Sequence, residues 1–144
     1  MDSIKSYVLG FAFDDLGRVV LINKQRPEWQ KHKWNGVGGL IEPFDDGPAT
    51  AMAREFREET GVEIPAEEWK QRGTMSGPGW KIYVFTVTSQ NARYVVTCTD
   101  EQVSMFLEHQ LFSAHTLDNV RALVRLCHIT DDVPFFELTY GSTH

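Results

Sequence analysis

Residues 38–62 read GGLIEPFDDGPATAMAREFREETGV, and this stretch decides the fold of the chain. It predicts an α-helix that begins near Pro48, a residue favoured in the first helical turn, and ends at Gly61, a residue favoured just past a helix end. Side chains three or four positions apart share one face of such a helix. We therefore expect an apolar stripe to pack on a core, formed by Ala49, Met52, Ala53, Phe56 and Thr60.

The face beside this stripe is acidic. Glu55, Glu58 and Glu59 lie at positions i, i+3 and i+4, within an arc of roughly 100°. Their charges repel one another, at a cost of roughly 0.2–0.5 kcal/mol per pair, so the pattern predicts a bound cation. Hard oxygen ligands of this kind suit Mg²⁺, with Mn²⁺ as an alternative. The competing interpretation is an ordinary solvated helix face, neutralised by Arg54 and Arg57.

The quoted stretch resembles the signature of the Nudix (MutT-like) hydrolases, which reads G-x5-E-x7-R-E-U-x-E-E-x-G-U, where U is a bulky aliphatic or similar residue. Residues 54–62 match every defined position of its second half, with Phe56 in place of the aliphatic residue. The first half departs from it, because an aspartate replaces the first glutamate and one extra residue lies between Gly39 and the arginine. Either Asp45 keeps the spacing to the glycine or Asp46 keeps the spacing to the arginine.

This resemblance implies an α/β protein with a Nudix-type α/β/α sandwich around a mixed β-sheet, and residues 1–144 as a single Nudix hydrolase domain. It also implies hydrolysis of a nucleoside diphosphate linked to a further moiety, with Mg²⁺ as cofactor. By the same resemblance Arg54 orients the glutamates, and the general base is Glu55 or Glu101. The expected catalytic residues are Arg54, Glu55, Glu58, Glu59 and Glu101, and the expected metal ligands are Gly39, Glu55, Glu58, Glu59 and Glu101.

Glu101 enters this set because the family often adds a glutamate from a loop late in the chain. Its position before Val103 and Phe106 favours it over Asp100 and Glu108, which remain alternatives. The competing interpretation of Glu101 is an exposed acidic turn.

Residues 34–39, WNGVGG, predict a glycine-rich loop ahead of the helix. Glycine permits close approach of the backbone to a ligand, and an asparagine amide both donates to and accepts from a base edge. The string resembles the Nudix branch that hydrolyses oxidised purine nucleoside triphosphates, which implies that Asn35 reads the base. The alternative is that Asn35 only bends the loop.

Residues 24–34 interleave basic side chains with indoles, a pattern suited to phosphates and a stacked base. Trp29 either stacks on the base or packs at the loop edge, and Lys24, Arg26 or Lys81 would hold the outer phosphates. The expected substrate-binding residues are Asn35, Gly38, Gly39, Arg26 and Trp34.

The remaining elements follow from β-rich runs and from helical spacing of apolar residues. Two hairpins are predicted, one over residues 6–13 with 18–23 and one over residues 69–75 with 80–88. A further strand is predicted over 94–97, a second helix on the other sheet face over 116–127, and an edge strand over 134–140. Thr116 is the expected cap of the second helix. In the last run, Phe135, Phe136 or Tyr140 would line the base pocket, or else belong to the core.

The 144 residues have the length of one domain, and the net charge of −6 argues against a partner of extended nucleic acid. No apolar run reaches the roughly 20 residues of a membrane span, and the N-terminus lacks a signal-peptide pattern. These features predict a cytoplasmic protein without a membrane partner, as a monomer or homodimer. Cys98 and Cys127 predict free or buried thiols rather than a disulfide.

We therefore expect a nucleotide as the small-molecule substrate. The first hypothesis is an enzyme that cleaves a nucleoside triphosphate, a modified purine among the candidates, to monophosphate and pyrophosphate. The alternatives are a pyrophosphatase for ADP-ribose or nucleotide sugars, a non-catalytic Nudix-fold nucleotide sensor, and an RNA 5′-end hydrolase. Three clustered glutamates argue against a sensor, and the acidic net charge argues against an RNA substrate.

Overall fold

The computed structural model describes residues 4–128 and 135–141. Within these ranges a mixed sheet of eight strands lies between two α-helices. The strands are β1 (Lys5–Phe13), β2 (Val19–Asn23), β3 (Trp34–Asn35), β4 (Val37–Leu40), β5 (Lys70–Gly77), β6 (Trp80–Thr88), β7 (Val103–Phe106) and β8 (Phe136–Thr139), and the helices are α1 (Pro48–Thr60) and α2 (Val120–His128). The predicted α/β/α sandwich around a mixed sheet is confirmed.

Strand β1 is the centre of the sheet. It pairs in parallel with β6 along its whole length and antiparallel with β2 and β4. Because side chains alternate along a strand, Val8 and Ala12 face the core beneath α1, whereas the core beneath α2 contains Leu9, Phe11 and Phe13. Both predicted hairpins are present as antiparallel pairs, β1 with β2 and β5 with β6.

Helix α1 begins and ends where the sequence predicted. Pro48 is its first residue, and the chain leaves the helix at Gly61, whose φ of 76° lies in the left-handed region that glycine tolerates. The Gly61 N–H donates to the Arg57 carbonyl at 2.9 Å and so caps the helix end.

The apolar stripe of α1 packs on the sheet as expected, with one shift. Met52, Phe56 and Thr60 are buried, and so is Ala51, whereas Ala49 and Ala53 are only partly buried. Ala51 is buried because the side chains of α1 meet a broad sheet surface rather than a narrow seam.

The glycine-rich stretch 34–39 is not a loop, contrary to the sequence prediction. It forms β3 and β4, and β4 pairs with β1 over four residue pairs. A Cβ built at Gly38 would lie 2.0 Å from the Val8 carbonyl oxygen, a distance that no side chain can occupy. Glycine is thus needed here for close strand packing.

The prediction of a strand over residues 94–97 is also wrong. Tyr94 closes a 3-10 turn that begins at Gln90, and the next residues run past the end of α1. The Val96 N–H donates to the Thr60 carbonyl at 3.0 Å and the Cys98 N–H to the Glu59 carbonyl at 3.3 Å. Their backbone therefore satisfies helix-terminal carbonyls instead of a strand ladder, and the strand forms later, as β7, beside β2.

Helix α2 starts at Val120 rather than at Thr116. The preceding residues pair with β3, since Trp34 N–H donates to the His115 carbonyl at 2.8 Å and Leu117 N–H to the Trp34 carbonyl at 3.1 Å. This pairing holds Thr116 in an extended bridge, so it does not cap the helix. As predicted, α2 packs on the sheet face opposite α1.

The predicted edge strand is present as β8, which pairs in parallel with β5 at one end of the sheet. Pro134, its expected first residue, lies outside the described residues. Phe136 packs against the α2-side core, whereas Phe135 is 53% exposed. Neither α1 nor α2, the α-helices of the described ranges, combines the length and apolar composition that a membrane span requires.

Candidate active site

Arg54 is the centre of an ion-pair network on the acidic face of α1. Its Nε and Nη2 donate to the two carboxylate oxygens of Asp45 at 3.0 and 2.9 Å. Its Nη1 donates to Glu55 at 3.1 Å and to Glu58 at 3.2 Å. Nη2 also donates to the Leu40 carbonyl at 3.1 Å, which ties the helix to the end of β4. Arg54 thus contacts two of the three helix glutamates, and the orienting role that the resemblance implies stays a prediction.

Asp45, and not Asp46, provides the acidic partner of Arg54. Its side chain is only 1% exposed, and its Oδ2 also accepts the backbone N–H of Glu42 at 2.8 Å. Hydrogen bonds from Arg54 hold the pKa of Asp45 below its ordinary value. The Phe44 ring lies 5.3 Å from the Arg54 guanidinium, within the range of a cation–π contact.

Glu55 is the most enclosed of the three helix glutamates, with a side chain that is 13% exposed. Burial raises its pKa to about 7, although Arg54 acts in the opposite direction. Its carboxylate touches Gly39, because a Cβ built there would lie 2.5 Å from Glu55 Cδ and Oε1. This glycine therefore leaves the space that the carboxylate occupies.

Glu58 and Glu59 complete the acidic face. The Glu58 side chain is 50% exposed. Glu59 Oε2 accepts a hydrogen bond from the Thr99 hydroxyl at 2.8 Å. Burial raises the pKa of Glu59, and the nearby charge of Glu101 adds to this rise.

Glu101 is buried, at 3% exposure, rather than lying in an exposed turn. Its carboxylate accepts the Gln25 N–H at 2.7 Å and Lys24 Nζ at 3.3 Å. Arg26 lies between this carboxylate and Asp100, with which it forms an ion pair. The other alternative, Glu108, pairs instead with Arg125 of α2 at 3.3 Å.

The donor set fits a divalent cation by its chemistry. All the side chains expected to bind the metal are carboxylates, the ligand type that Mg²⁺ prefers. Burial raises the pKa of two of them, Glu55 and Glu59. Within the described ranges no group of three or more His, Cys, Asp or Glu side chains is already arranged around one point for a metal. Each of these carboxylates instead has a protein partner, because Arg54 contacts Glu55 and Glu58, Thr99 contacts Glu59, and Lys24 contacts Glu101.

A cavity of about 740 Å³ borders β4. Its wall includes Gly38 and Gly39, so it adjoins the place where Glu55 meets the strand. The polar and aromatic residues around it are Tyr7, Lys24, Arg26, Trp29, Gln30, Lys33, Asn35, Trp80, Asp118, Asn119 and Tyr140. Positive charge, amides and rings thus surround one space beside the glutamates.

Four of the five expected substrate-binding residues, Asn35, Gly38, Gly39 and Arg26, line this cavity. The Asn35 Oδ1 accepts the Gly36 N–H at 2.8 Å, and its side chain makes no other hydrogen bond within the described ranges. Trp34 is not in the cavity wall, because its ring packs edge-on against Phe106, with centroids 4.9 Å apart.

Of the residues named as phosphate ligands or base-pocket aromatics, only some reach the cavity. Lys24 and Trp29 line it, and so does Tyr140. Lys81 lies over the Tyr83 ring at 4.9 Å instead.

Asp118 and Asn119 also line the cavity, and the sequence prediction missed them. Asn119 Nδ2 donates to the Tyr140 hydroxyl at 3.2 Å, which joins the start of α2 to the end of β8. The available signal was a polar pair directly before the apolar run that starts at Val120. Because residues 116–127 were assigned to one helix, this polar pair was not recognised as part of the site.

A profile of the NUDIX domain family matches residues 4–126. The chain belongs to the Nudix family. A search of curated protein sequences finds no significant match. Among solved structures, this Nudix chain is similar to the NUDIX hydrolase from Nitrosomonas europaea, with 14% identity, a TM-score of 0.74, and coverage of 99% of this chain and 81% of that one.

Two further structures have the same fold. The mutator MutT protein from Bacillus halodurans is 14% identical, with a TM-score of 0.68 and coverage of 96% of this chain and 91% of that one. The NUDIX domain of Shewanella oneidensis NrtR, solved with ADP ribose, is also 14% identical, with a TM-score of 0.69. The match covers 88% of this chain and 87% of that one. At these identities the similarity shows the Nudix fold and not a substrate.

Proposed function

We propose that this Nudix protein is a divalent-cation-dependent pyrophosphohydrolase that converts a nucleoside triphosphate, a modified purine among the candidates, to a monophosphate and pyrophosphate. The observation that carries the proposal is that Gly39 both contacts the Glu55 carboxylate and lines the cavity. A nucleotide in the cavity would therefore have its phosphates beside the glutamates.

The residues that would hold Mg²⁺ or Mn²⁺ are Gly39, Glu55, Glu58, Glu59 and Glu101. When bound, the ion supplies positive charge for the phosphate oxygens and lowers the pKa of the attacking water. Arg54 keeps the helix carboxylates in place without contacting substrate, because Asp45 holds its guanidinium from the other side.

Of the two candidate bases, Glu55 is favoured. Burial raises its pKa to about 7, and its carboxylate contacts Gly39, which lines the cavity. The Glu101 carboxylate already accepts hydrogen bonds from the Gln25 N–H and Lys24 Nζ, which hold it in place.

The cavity wall supports binding of a nucleotide. Lys24, Arg26 and Lys33 are cationic groups that suit phosphate oxygens. Asn35 and Asn119 carry amides that both donate and accept, as base edges require. The rings of Trp29, Trp80 and Tyr140 offer stacking surfaces for a base, of the kind that is worth about 1–3 kcal/mol per stacked base.

Pyrophosphate hydrolysis of ADP-ribose or a nucleotide sugar is the second candidate. The supporting observation is the cavity volume of about 740 Å³, within the range of roughly 300–1,000 Å³ that encloses drug-sized ligands, so room for a second sugar exists. The Shewanella NrtR domain of the same fold binds ADP ribose.

A turnover screen tests these assignments. Ordinary and oxidised nucleoside triphosphates, ADP-ribose and nucleotide sugars are incubated with Mg²⁺ or Mn²⁺, and the products are separated by chromatography. We expect monophosphate and pyrophosphate from a triphosphate. Cleavage confined to the diphosphate-linked compounds would establish the second candidate, and binding without turnover of any compound would identify a nucleotide sensor.

A further inference from the structure

Residues 96–102, here called the bridging segment, connect the two halves of the site. At one end, Val96 N–H and Cys98 N–H cap the carbonyls of Thr60 and Glu59 at the end of α1. At the other end, Glu101 accepts the Gln25 N–H, and the Gln102 carbonyl accepts the Asn23 N–H at 2.8 Å. The segment therefore ties the acidic helix to the basic wall of the cavity.

Thr99 lies at the middle of this segment and makes two hydrogen bonds with one hydroxyl. The Oγ1 donates to Glu59 Oε2 at 2.8 Å and accepts the Glu101 backbone N–H at 3.1 Å. One hydroxyl thus sets the direction of the Glu59 carboxylate and the position of the residue that carries the Glu101 carboxylate. A carboxylate held by a charge-assisted bond loses fewer rotamers when it binds a ligand.

We propose that Thr99 is a positioning residue for the metal site, acting through Glu59 and Glu101. The inference rests on the proposed function, since it requires that Glu59 bind the divalent ion. Thr99 itself touches neither metal nor substrate in this role. Its contribution is to hold two carboxylates from distant parts of the chain in one arrangement.

Thr97 provides a matched control two residues away in the same segment. Its Oγ1 accepts the Val103 N–H at 2.9 Å, a bond of the same kind as that between Thr99 and Glu101 N–H. Within the described residues the Thr97 hydroxyl is bonded to no carboxylate. Thr97→Val and Thr99→Val therefore each lose one bond to a backbone N–H, and Thr99→Val alone also loses a bond to a glutamate.

The experiment measures Mn²⁺ affinity by isothermal titration calorimetry, with the metal alone and no nucleotide, on five proteins. They are the wild type and the variants Thr99→Val, Thr99→Ser, Thr97→Val and Glu59→Gln. We expect Thr99→Val to weaken Mn²⁺ binding by about tenfold, as loss of a hydrogen bond to a ligating carboxylate commonly does. Thr99→Ser keeps the hydroxyl and retains wild-type affinity, and so does Thr97→Val. Thermal midpoints of the two valine variants show whether both fold equally well.

The outcomes separate this inference from the proposed function. If Glu59→Gln weakens Mn²⁺ binding but Thr99→Val and Thr97→Val have the same Mn²⁺ affinity, the positioning role of Thr99 is wrong and the assignment of Glu59 to the metal site is retained. If Glu59→Gln binds Mn²⁺ as the wild type does, the metal assignment of Glu59 fails, and the inference fails with it. If Thr99→Ser is as weak as Thr99→Val, the hydroxyl is not the cause and the inference is overturned.

Discussion

The carboxylate of Asp45 and the guanidinium of Arg54 form a two-bond pair, Nε to Oδ1 at 3.0 Å and Nη2 to Oδ2 at 2.9 Å. An aspartate thus replaces the glutamate of the family signature at the position set by the spacing to Gly39. Its shorter side chain reaches Arg54 because the loop ahead of α1 folds back, with the Glu42 N–H donating to the same carboxylate. The extra residue, Asp46, is exposed.

Asp45→Asn is expected to destabilise the protein, whereas Asp46→Asn is not. Removing the Asp45 charge takes away two of the charge-assisted bonds of an enclosed ion pair, at a cost of about 3 kcal/mol. For a domain of this size that corresponds to a fall in melting temperature of roughly 10 °C. Differential scanning calorimetry of the two variants measures the difference, and equal melting temperatures would contradict the assignment of Asp45.

Glu58→Gln is expected to abolish metal-dependent turnover while leaving the melting temperature unchanged, because this side chain is half exposed. The loss should be about 100-fold or more, since a bound metal supplies several kcal/mol of transition-state stabilisation and each ~1.4 kcal/mol is tenfold. Glu67→Gln, in the 3-10 turn after α1, removes an exposed glutamate away from the acidic face and serves as control. Activity within a few-fold of wild type would mean that α1 does not hold the metal.

Gly39→Ala is expected to displace Glu55 without unfolding the protein. The added methyl would lie 2.5 Å from the Glu55 carboxylate, and the end of that flexible side chain yields more easily than the paired strand. A misplacement of about 1 Å costs on the order of 100-fold in rate, so kcat should fall by that factor. Gly141→Ala, where an added Cβ meets no atom within 4 Å, is the control. Unchanged kcat would show that the contact between Gly39 and Glu55 is not needed.

Asn35→Ala is expected to change which base is preferred more than how fast the best substrate reacts. Loss of one base-edge hydrogen bond costs about 1.4 kcal/mol, which is a tenfold change in relative kcat/KM between nucleotides. The comparison is made across the same nucleotide panel, with Asn91→Ala as a surface control. If the ranking of substrates is the same in both variants, Asn35 does not read the base.

Asp14 is expected to make stability depend on pH. The residue is 1% exposed and accepts the N–H groups of Leu16 and Arg18, at 3.0 and 2.8 Å, and Arg18 Nε at 2.6 Å. Burial alone would raise its pKa, but the hydrogen bonds and charge of Arg18 outweigh burial and lower it below 3.8. The pKa of Asp14 is lower in the folded than in the unfolded protein, so the Asp14 carboxylate contributes to the free energy of unfolding. This contribution is fully present above the unfolded-state pKa and is lost as the pH falls through the folded-state pKa.

Urea unfolding of wild type and Asp14→Asn at pH 7, 5 and 3 measures this effect. We expect the variant to be less stable by about 2 kcal/mol at pH 7 and 5, with a smaller difference at pH 3. Asp15→Asn, at the exposed neighbouring position, should show no such difference. A difference between wild type and Asp14→Asn that is the same at all three pH values would contradict this account.

The sequence by itself determined helix α1, its two ends, its acidic face and the two hairpins. These features are local, because the 3.6-residue period of apolar side chains, a leading proline and a closing glycine act within a few residues of one another. The same local rules misassigned residues 34–39 and 94–97. Gly38 lies in a strand so close to β1 that a Cβ there would be 2.0 Å from the Val8 carbonyl oxygen. The β-rich residues at the end of α1 cap helix carbonyls instead of pairing in a sheet.

The tertiary structure alone decided which residues share the site. Asn119 at the start of α2 meets Tyr140 after β8, and Thr99 meets Glu59 across forty positions of sequence. The choice of Asp45 over Asp46 likewise depended on how the loop folds back onto Arg54. Such contacts depend on the order of strands in the sheet and on the packing of both helices against it, and no local spacing in the sequence encodes that arrangement.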